Sequence, residues 1–381
     1  PEDIRPGVNL TYGMVDFIYS VSVRLWKDYF TRAIVEENIH FLTDSIAISY
    51  NARVENFTTR NITNYNSADR AILLLIDLMP DEMIKLYGFS ERRHQAILSM
   101  AEHIRNVMVE TVQSNESIDS AASIHLTDQL KSINLNCAIP DEFFSYDELY
   151  IDEFDVLGNI RRAEEFNYRR WVESASSGNL HNRQYMESLD GSPAFFAGWN
   201  SVLLPISFSK IPLFNETYDD AYNYGALGFY VGHEIAHSFH LKSDSVVYIL
   251  SDSVEEAIID QYGSYRTYSG DTLNGRLTRF ENFTDIVGLN AALNAYKQVP
   301  SYKKTLNGRT GPQRFFMAFA NSQRQYVSPE RTDYLINYDE HTISYLRVNG
   351  TVRNMDDFYE AFSVQPDDSL YLSEDERLYI W

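Results

Sequence analysis

Two histidines that stand four residues apart, His233 and His237, offer the clearest chemistry in this sequence. On an α-helix, positions i and i+4 lie on one face, so both imidazoles can bind the same metal ion. Zinc suits such a pair because it accepts neutral imidazole nitrogens at about 2.0–2.1 Å. Glu234 adjoins the first histidine and can accept a proton from a water at the metal, and the apolar run Leu227–Val231 places the motif on a buried helix. The spacing therefore predicts a zinc site with an adjacent carboxylate base.

A catalytic zinc usually has a third protein ligand and one position open for water. Two acidic residues further along the chain are candidates, Glu256 and Glu281. Each has an aspartate four residues later, Asp260 and Asp285 respectively. In such a pair the glutamate can bind metal while the aspartate accepts a hydrogen bond from the free nitrogen of a ligand histidine. Glu256, 19 residues after His237, would give an arrangement like that of thermolysin, and spacing alone leaves both candidates open.

The elements that must position these residues are predicted to be mostly helical. Apolar residues recur at helical spacing through Arg92–Gln113, and Ser117–Leu135 and Tyr222–His240 have the composition of further helices. The loop Gly270–Gly275 separates two later helical patterns. Val202–Phe208 is an extended run, and its proline is expected to keep it at a sheet edge. The pattern predicts a mainly α protein with a small β-sheet.

The composition is that of a folded, acidic protein. Apolar residues make up 44% of the 381 residues, and the formal net charge of −22 opposes a nucleic-acid partner because the phosphate backbone would be repelled. Cys137 is the only cysteine, which excludes a disulfide within the chain. The longest apolar run, Ala71–Ile76, is far shorter than the roughly 18 residues of a membrane span. We therefore expect a chain with no membrane span.

A characteristic order of short motifs surrounds the second candidate ligand. Leu273–Gly275 reads Leu-Asn-Gly, Glu281–Asp285 reads Glu-Asn-x-x-Asp, and Gly288-Leu289 follows. This order resembles the C-terminal half of the neprilysin and endothelin-converting-enzyme family of zinc metallopeptidases. The resemblance implies that Glu281 is the third zinc ligand beside the two histidines and that Asp285 accepts a hydrogen bond from the free nitrogen of a ligand histidine. It also implies that Glu256 is a carboxylate at the surface or the rim of the core.

Further matches to this family lie on both sides of the metal motif. Pro193–Phe196 resembles the family's Asn-Ala-Phe-Tyr strand, which implies that Ala194 binds substrate backbone as part of an edge strand. His341 and Arg347 stand six residues apart, like the family's transition-state histidine and substrate-binding arginine. The resemblance implies that His341 stabilises the negative charge that grows on the carbonyl oxygen and that Arg347 holds a substrate carbonyl.

The implied activity is a zinc-dependent endopeptidase that hydrolyses small peptides, with Glu234 as general base. Phe229 and Tyr230, just before the metal motif, are expected to line the pocket for the residue after the scissile bond. Two positions depart from the family pattern: Pro193 replaces an asparagine of the substrate strand, and His240 replaces an acidic residue. These departures leave an alternative open, a catalytically impaired protein that binds peptides or proteins.

The resemblance also has consequences for domains and localisation. It implies a thermolysin-like zincin domain at residues 91–381, preceded at 1–90 by the remainder of a helical lid domain. Because a family ectodomain is nearly twice as long, we expect the missing N-terminal half to exist as a separate chain. An extracellular or secreted protein, or an ectodomain released from a membrane-anchored precursor, is expected. Sequons for N-glycosylation occur at Asn9, Asn56, Asn61, Asn115, Asn215, Asn282 and Asn349. Asn282 is expected to be bare because it adjoins the ligand Glu281.

Overall fold

Helices dominate the computed structural model, which describes residues 19–37, 67–88, 90–136, 143–177, 192–240 and 251–380. The α-helices of these residues are α1 (Val23–Glu37), α2 (Ser67–Leu78), α3 (Pro80–Gly88), α4 (Glu91–Ser114), α5 (Ser120–Ser132), α6 (Val156–Ser176), α7 (Asp220–Gly225), α8 (Leu227–Ala236), α9 (Asp252–Gly263), α10 (Gly275–Lys297), α11 (Gly311–Ser322), α12 (Pro329–Tyr338), α13 (Ser344–Val352) and α14 (Asp356–Phe362). Short 3₁₀ turns occupy Ala197–Trp199, Ile206–Ser209, His237–His240, Pro300–Lys303 and Glu374–Glu376. None of the described helices combines the length and the apolar composition that a membrane crossing requires.

One small sheet accompanies the helices. Its strands are β1 (Asn134–Asn136), β2 (Ala194–Phe196) and β3 (Ser201–Leu203), in the order β1-β3-β2. β3 pairs in parallel with β1 and antiparallel with β2. The prediction of a mainly α fold with a small sheet is confirmed. The edge position expected for the run that begins at Val202 is wrong: β3 is the central strand, and Pro205 lies beyond its end, where it interrupts no ladder hydrogen bond.

The chain divides into two compact units. One consists of Pro1–Leu75 and Leu149–Phe166, and the other of Ile76–Glu148 and Asn167–Trp381. The predicted metal site lies in the second, larger unit. The domain boundary near residue 90 that the family resemblance implies stays a prediction.

The helix expected over Arg92–Gln113 is confirmed as α4. The Ser90 hydroxyl accepts a hydrogen bond from the Arg93 backbone N–H and caps the helix. The next predicted helix, Ser117–Leu135, is right only in part. α5 ends at Ser132, and Leu135 lies in β1, because the chain turns into the sheet after the buried residue Ile133.

The helix expected over Tyr222–His240 is interrupted at Ala226, which has φ −92° and ψ −81°. α7 ends before this residue, α8 follows it, and a 3₁₀ turn begins at His237. Gly225 explains part of this geometry, since a Cβ there would lie 2.2 Å from the backbone oxygen of Phe315 in α11. The close approach of α11 therefore requires glycine at the end of α7.

The centre of the larger unit is the crossing of α8 with α10, the most extensive contact between two elements. All residues of α8 except Tyr230 are buried, and most of α10 is buried as well. At the crossing, a Cβ on Gly232 would lie 2.4 Å from the oxygen of Gly288, and a Cβ on Gly288 would lie 2.4 Å from the nitrogen of His233. The two backbones therefore touch at a pair of glycines, next to the first histidine of the motif.

We predict that Gly288→Ala destabilises the protein and weakens zinc binding, because the added methyl group forces α8 and α10 apart. Such overpacking costs about 1–3 kcal/mol of unfolding free energy. Gly263→Ala is the matched control, since a Cβ at this last residue of α9 meets no atom within 4 Å. Chemical denaturation and zinc content measure both effects, and equal stability of the two variants would contradict the role of the crossing.

Candidate metal centre and active site

Three side chains that are distant in sequence converge on one point. His233 lies on α8, His237 begins the 3₁₀ turn after it, and Glu281 lies on α10. One ligand atom from each lies within 4.8 Å of the other two, and this is the His/Cys/Asp/Glu cluster found among the described residues. The structure thus brings together the three predicted ligands.

The spacing of these atoms fits a tetrahedral metal ion. His233 Nε2 lies 3.2 Å from His237 Nε2. Glu281 Oε2 lies 3.1 Å from His233 Nε2 and 3.6 Å from His237 Nε2. Ligands about 2.0–2.1 Å from a tetrahedral zinc are separated from one another by about 3.3–3.4 Å. The three distances bracket this value, so the site can accept zinc with only small side-chain movements.

The carboxylate of Glu281 provides a second test of the fit. Its Oε2 atom is buried and makes no hydrogen bond of acceptable geometry, although His341 Nε2 also lies only 3.2 Å away. Burial opposes ionisation of this group, but the neighbouring histidines outweigh it and hold the pKa of Glu281 well below its usual range. A buried, ionised oxygen that faces imidazole nitrogens without hydrogen bonds fits a metal ligand.

Asp285 and Arg347 hold the first histidine in place. Asp285 lies one helical turn after Glu281, and its Oδ1 is 2.8 Å from His233 Nδ1, which leaves Nε2 directed at the metal position. Arg347 donates to both oxygens of Asp285, from Nε at 2.7 Å and from Nη2 at 2.6 Å. Burial would raise the pKa of Asp285, but the charge of Arg347 and the hydrogen bond to His233 outweigh it and lower the pKa. The ligand-orienting carboxylate is therefore ionised.

No described residue donates a hydrogen bond to the carboxylate of Glu234, and, unlike Glu281, it forms no ion pair with a described histidine. Its side chain lines the cavity beside the metal position, and the residue is only 6% exposed. Burial raises the pKa of Glu234, and the charge of Glu281 adds to this, while His233 acts in the opposite direction. An unpaired carboxylate with a raised pKa beside a metal position has the properties of a general base.

His341 also lies beside Glu281. Its Nε2 is 3.2 Å from Glu281 Oε2, and its Nδ1 is 3.0 Å from Asp339 Oδ1. The side chain is 49% exposed and lines the cavity together with Glu234. Burial would lower the pKa of His341, but Glu281 outweighs it and raises the pKa. The structure therefore presents a hydrogen-bond donor to the same cavity as the candidate base.

The cavity has a volume of about 450 Å³ and is lined by two of the four predicted substrate-binding residues. Arg347 and Tyr230 line it, and Tyr230 packs edge-on against Phe208, another lining residue. The expectation for Phe229 is wrong: this residue is 0% exposed and packs behind the wall against Phe319, at 4.6 Å between ring centroids. Phe229 and Tyr230 point about 100° apart on the helix, and the packing turns Tyr230 towards the cavity and Phe229 into the core.

The predicted edge strand adjoins the cavity. Ser192 and Pro193, just before β2, belong to its lining, whereas Ala194 does not. Among the described strands, β2 pairs only with β3, so its other edge carries no strand. The side chain of His240 lies outside the described residues.

The other candidate ligand, Glu256, is not part of this cluster. It lies on α9, its side chain is 57% exposed, and its carboxylate accepts hydrogen bonds from Arg276 at 3.2 and 3.3 Å. The ligand cluster contains Glu281 and does not contain Glu256. Glu256 therefore has the surface position that the family resemblance implies.

One link in the site was not predicted from the sequence. Thr342 donates to Asn282 Oδ1 at 2.7 Å, and Asn282 donates to Thr278 Oγ1 at 2.9 Å. Asn282 is 0% exposed and Thr342 is 4% exposed. This buried bridge ties α10, the helix of Glu281, to the segment that carries His341. The Glu-Asn-x-x-Asp pattern placed Asn282 beside the ligand, but no local signal indicated Thr342 as its partner.

Comparison with known proteins finds a matching peptidase family and related peptidases. Residues 193–247 and 250–378 match the family model "Peptidase family M13". Human neprilysin is 24% identical over 364 residues, which cover 87% of this chain and 47% of neprilysin. Neutral endopeptidase of Lactococcus lactis is 25% identical over 351 residues, covering 84% of this chain and 53% of the relative. The chain therefore spans about half the length of these relatives.

Solved structures show the same fold. The zinc metalloprotease Zmp1 of Mycobacterium tuberculosis in its open state has a TM-score of 0.74 at 24% identity, covering 95% of this chain and 60% of Zmp1. PepO of Lactobacillus rhamnosis has a TM-score of 0.63 at 24% identity, covering 80% of this chain and 50% of PepO. These structures share the mainly helical architecture with a small sheet.

We predict that zinc binding releases a proton even at about pH 8. Burial would lower the pKa of His233, but its hydrogen bond to Asp285 and the adjacent carboxylate of Glu281 outweigh this and raise the pKa to about 9 in the metal-free protein. Below that pH a metal must displace the proton, so apparent zinc affinity should rise about tenfold per pH unit until about pH 9.

Calorimetry in two buffers of different ionisation enthalpy measures this proton release. Asp285→Asn is the control, because it removes a carboxylate that raises the pKa, and it should reduce the release at pH 8. A histidine with an ordinary pKa of about 6.5 would release almost no proton at that pH. Heats that do not depend on the buffer would contradict the raised pKa.

Proposed function

The chain belongs to peptidase family M13, and from this premise we propose that it is a zinc-dependent endopeptidase that hydrolyses small peptides. The observation that carries the proposal is the convergence of three ligand atoms from His233, His237 and Glu281 beside the unpaired carboxylate of Glu234. A zinc ion held by these three residues would polarise the scissile carbonyl and lower the pKa of a water, which supplies a nucleophile at neutral pH.

Glu234 is the proposed general base. Its carboxylate faces the cavity and is free to accept the proton of the attacking water. Because burial raises its pKa, Glu234 can also hold that proton and pass it to the departing amine nitrogen. One residue thus serves both proton transfers. The large side chains of Tyr230 and Phe208, which pack edge-on in the cavity lining, would limit the access of bulk water to Glu234.

His341 is the proposed stabiliser of the oxyanion. Negative charge grows on the carbonyl oxygen during attack, and a donor fixed beforehand at that point lowers the barrier. Asp339 holds Nδ1 of the ring, so Nε2 is the nitrogen directed at the metal position. The bridge from Thr342 to Asn282 fixes the adjacent backbone to α10. These contacts support the view that His341 is held in position and is not a mobile surface residue.

Arg347 and β2 are the proposed substrate-positioning elements. Arg347 uses Nε and Nη2 on Asp285, while its Nη1 donates to no described residue and the side chain lines the cavity. Nη1 can therefore reach a substrate carbonyl without releasing Asp285. A peptide that adds to the unpaired edge of β2, beside Ala194, would pass the metal position in an extended conformation. The side chain after the scissile bond would enter the space bounded by Tyr230 and Phe208.

We also propose an extracellular or secreted location. The sequons at Asn115, Asn215 and Asn349 are partly exposed, whereas Asn282 is fully buried with both amide atoms hydrogen-bonded, which supports the prediction that it carries no glycan. Asn9, Asn56 and Asn61 lie outside the described residues. A separate chain that supplies the N-terminal half found in the longer relatives stays a prediction, which addition of such a chain to the assay would test.

We predict that Glu234→Gln lowers kcat about 10²–10⁴-fold and leaves one zinc per chain, since it removes the base and none of the ligands. Glu256→Gln is the matched control, because it makes the same change at an exposed carboxylate outside the site. The assay is cleavage of quenched peptides, with and without chelator and zinc addition.

The possible outcomes separate the two functions. Full activity of Glu234→Gln would exclude the proposed mechanism. If the unmodified chain binds zinc and peptide but cleaves nothing, the binding-protein alternative, motivated by Pro193 at the cavity wall, is favoured. Loss of zinc from Glu256→Gln but not from Glu281→Gln would support the thermolysin-like ligand set.

A further prediction concerns the buried bridge. Thr342→Val keeps the side-chain volume but leaves Asn282 Oδ1 without its donor, which costs about 1–3 kcal/mol and loosens the segment that carries His341. We expect kcat to fall while zinc content and KM change little. Thr342→Ser keeps the hydroxyl and should retain most of the activity. Equal kcat values for the valine and serine variants would show that the bridge does not position His341.

A further inference from the structure

A second and larger cavity adjoins the catalytic one. Its volume is about 1070 Å³, and all of its lining residues belong to the larger unit. The two cavities share one wall, which consists of Gln323, Arg324, Gln325, Ile343 and Ser344. Ser344 donates to Gln325 Oε1 at 2.8 Å across this wall. A chain that leaves the catalytic cavity over these residues enters the second cavity directly.

Helix α13 serves both cavities. Arg347 lines the catalytic cavity, whereas Tyr345, Val348 and Asn349 line the second. Positions i, i+3 and i+4 share a helix face, so these three residues form one surface and Arg347 lies on another. The helix that positions substrate at the metal site therefore also forms the floor of the neighbouring cavity.

A fixed pair of tyrosines stands in this second cavity. The rings of Tyr268 and Tyr345 stack at 4.3 Å with an interplanar angle of 22°, and the Tyr268 backbone N–H donates to the Tyr345 hydroxyl at 2.9 Å. The loop that carries Tyr268 is closed by the hydrogen bond from Thr267 N–H to the Asp271 oxygen at 2.8 Å. Although its backbone is held, Tyr268 is 89% exposed. An exposed aromatic ring on an ordered loop is a ready surface for a ligand side chain.

The charges of the cavity favour a cation. Asp271 and Asp333 line it against a single basic residue, Arg324, and the whole chain has a formal charge of −22. No described residue donates a hydrogen bond to the carboxylate of Asp333. A guanidinium or ammonium group over a tyrosine face gains cation–π attraction, and a nearby carboxylate adds to it.

We propose that this second cavity is an extended substrate site that takes a basic side chain of the peptide, outside the residues held in the catalytic cavity. The proposal rests on the proposed peptidase function and specifies its substrates: peptides long enough to cross the shared wall and carrying arginine or lysine beyond it. Tyr268 and Tyr345 contact the basic side chain, and Asp333 pairs with its charge.

The test uses one scissile core in quenched peptides, either short or extended at each end by a segment containing arginine, alanine or glutamate. We expect the arginine extension at one end to raise kcat/KM about tenfold or more through KM, with alanine intermediate and glutamate weakest. Tyr268→Ala and Tyr345→Ala should reduce the ratio of kcat/KM for the arginine-extended peptide to that for the short one. Tyr338→Ala is the matched control, an exposed tyrosine that packs against Tyr334 at 5.5 Å between ring centroids and lines neither cavity.

A binding measurement separates this proposal from the peptidase function. Zinc-loaded Glu234→Gln and labelled versions of the same peptides give dissociation constants that do not require cleavage. Tighter binding of the arginine-extended peptide, lost in Tyr268→Ala, supports the site even if the unmodified chain cleaves nothing. Equal affinity for the arginine and glutamate extensions, or no effect of either tyrosine substitution, overturns the proposal.

Discussion

The contact on which the site depends is the backbone-to-backbone approach of α8 and α10 at Gly232 and Gly288. α8 presents His233, and α10 presents Glu281 and Asp285 on the facing side. Glutamate and aspartate have short side chains. The distances from His233 to Glu281 (3.1 Å, from Nε2) and to Asp285 (2.8 Å, from Nδ1) therefore require the two helix axes to be close. Any side chain at the crossing would separate the axes and pull the carboxylates away from the imidazole.

The close approach of α8 and α10 places negatively charged carboxylates in the core, where they need positive partners. Asp285 and Glu281 are buried and ionised, and burial of unpaired charge is costly. Arg347 balances Asp285 through two hydrogen bonds. Among the described residues no arginine or lysine pairs with Glu281, whose buried Oε2 faces histidine nitrogens without a hydrogen bond. A divalent cation would complete the charge balance, so the same contacts that define the geometry also favour a metal ion at this position.

α13 links the metal centre to its surroundings. Through Arg347 it stabilises the carboxylate that orients His233, and the bridge from Thr342 fixes the segment just before it. The opposite face of the helix, with Tyr345, opens to the larger cavity. Orientation of His233 and the proposed recognition of a longer peptide therefore depend on one short helix, and displacement of this helix would affect both.

Local sequence spacing determined the helical elements and part of the site, whereas long-range packing determined the remaining contacts. The i, i+4 relation of His233 and His237 and the neighbouring Glu234 follow from helix geometry alone, as do the existence and approximate bounds of α4. Spacing could not choose between Glu256 and Glu281, because the choice depends on which helix crosses α8. The same limit explains why Phe229 was expected in the pocket and why β3 was expected at an edge. Periodicity reports that a residue is buried, whereas the partner that buries it is decided only when distant segments pack together.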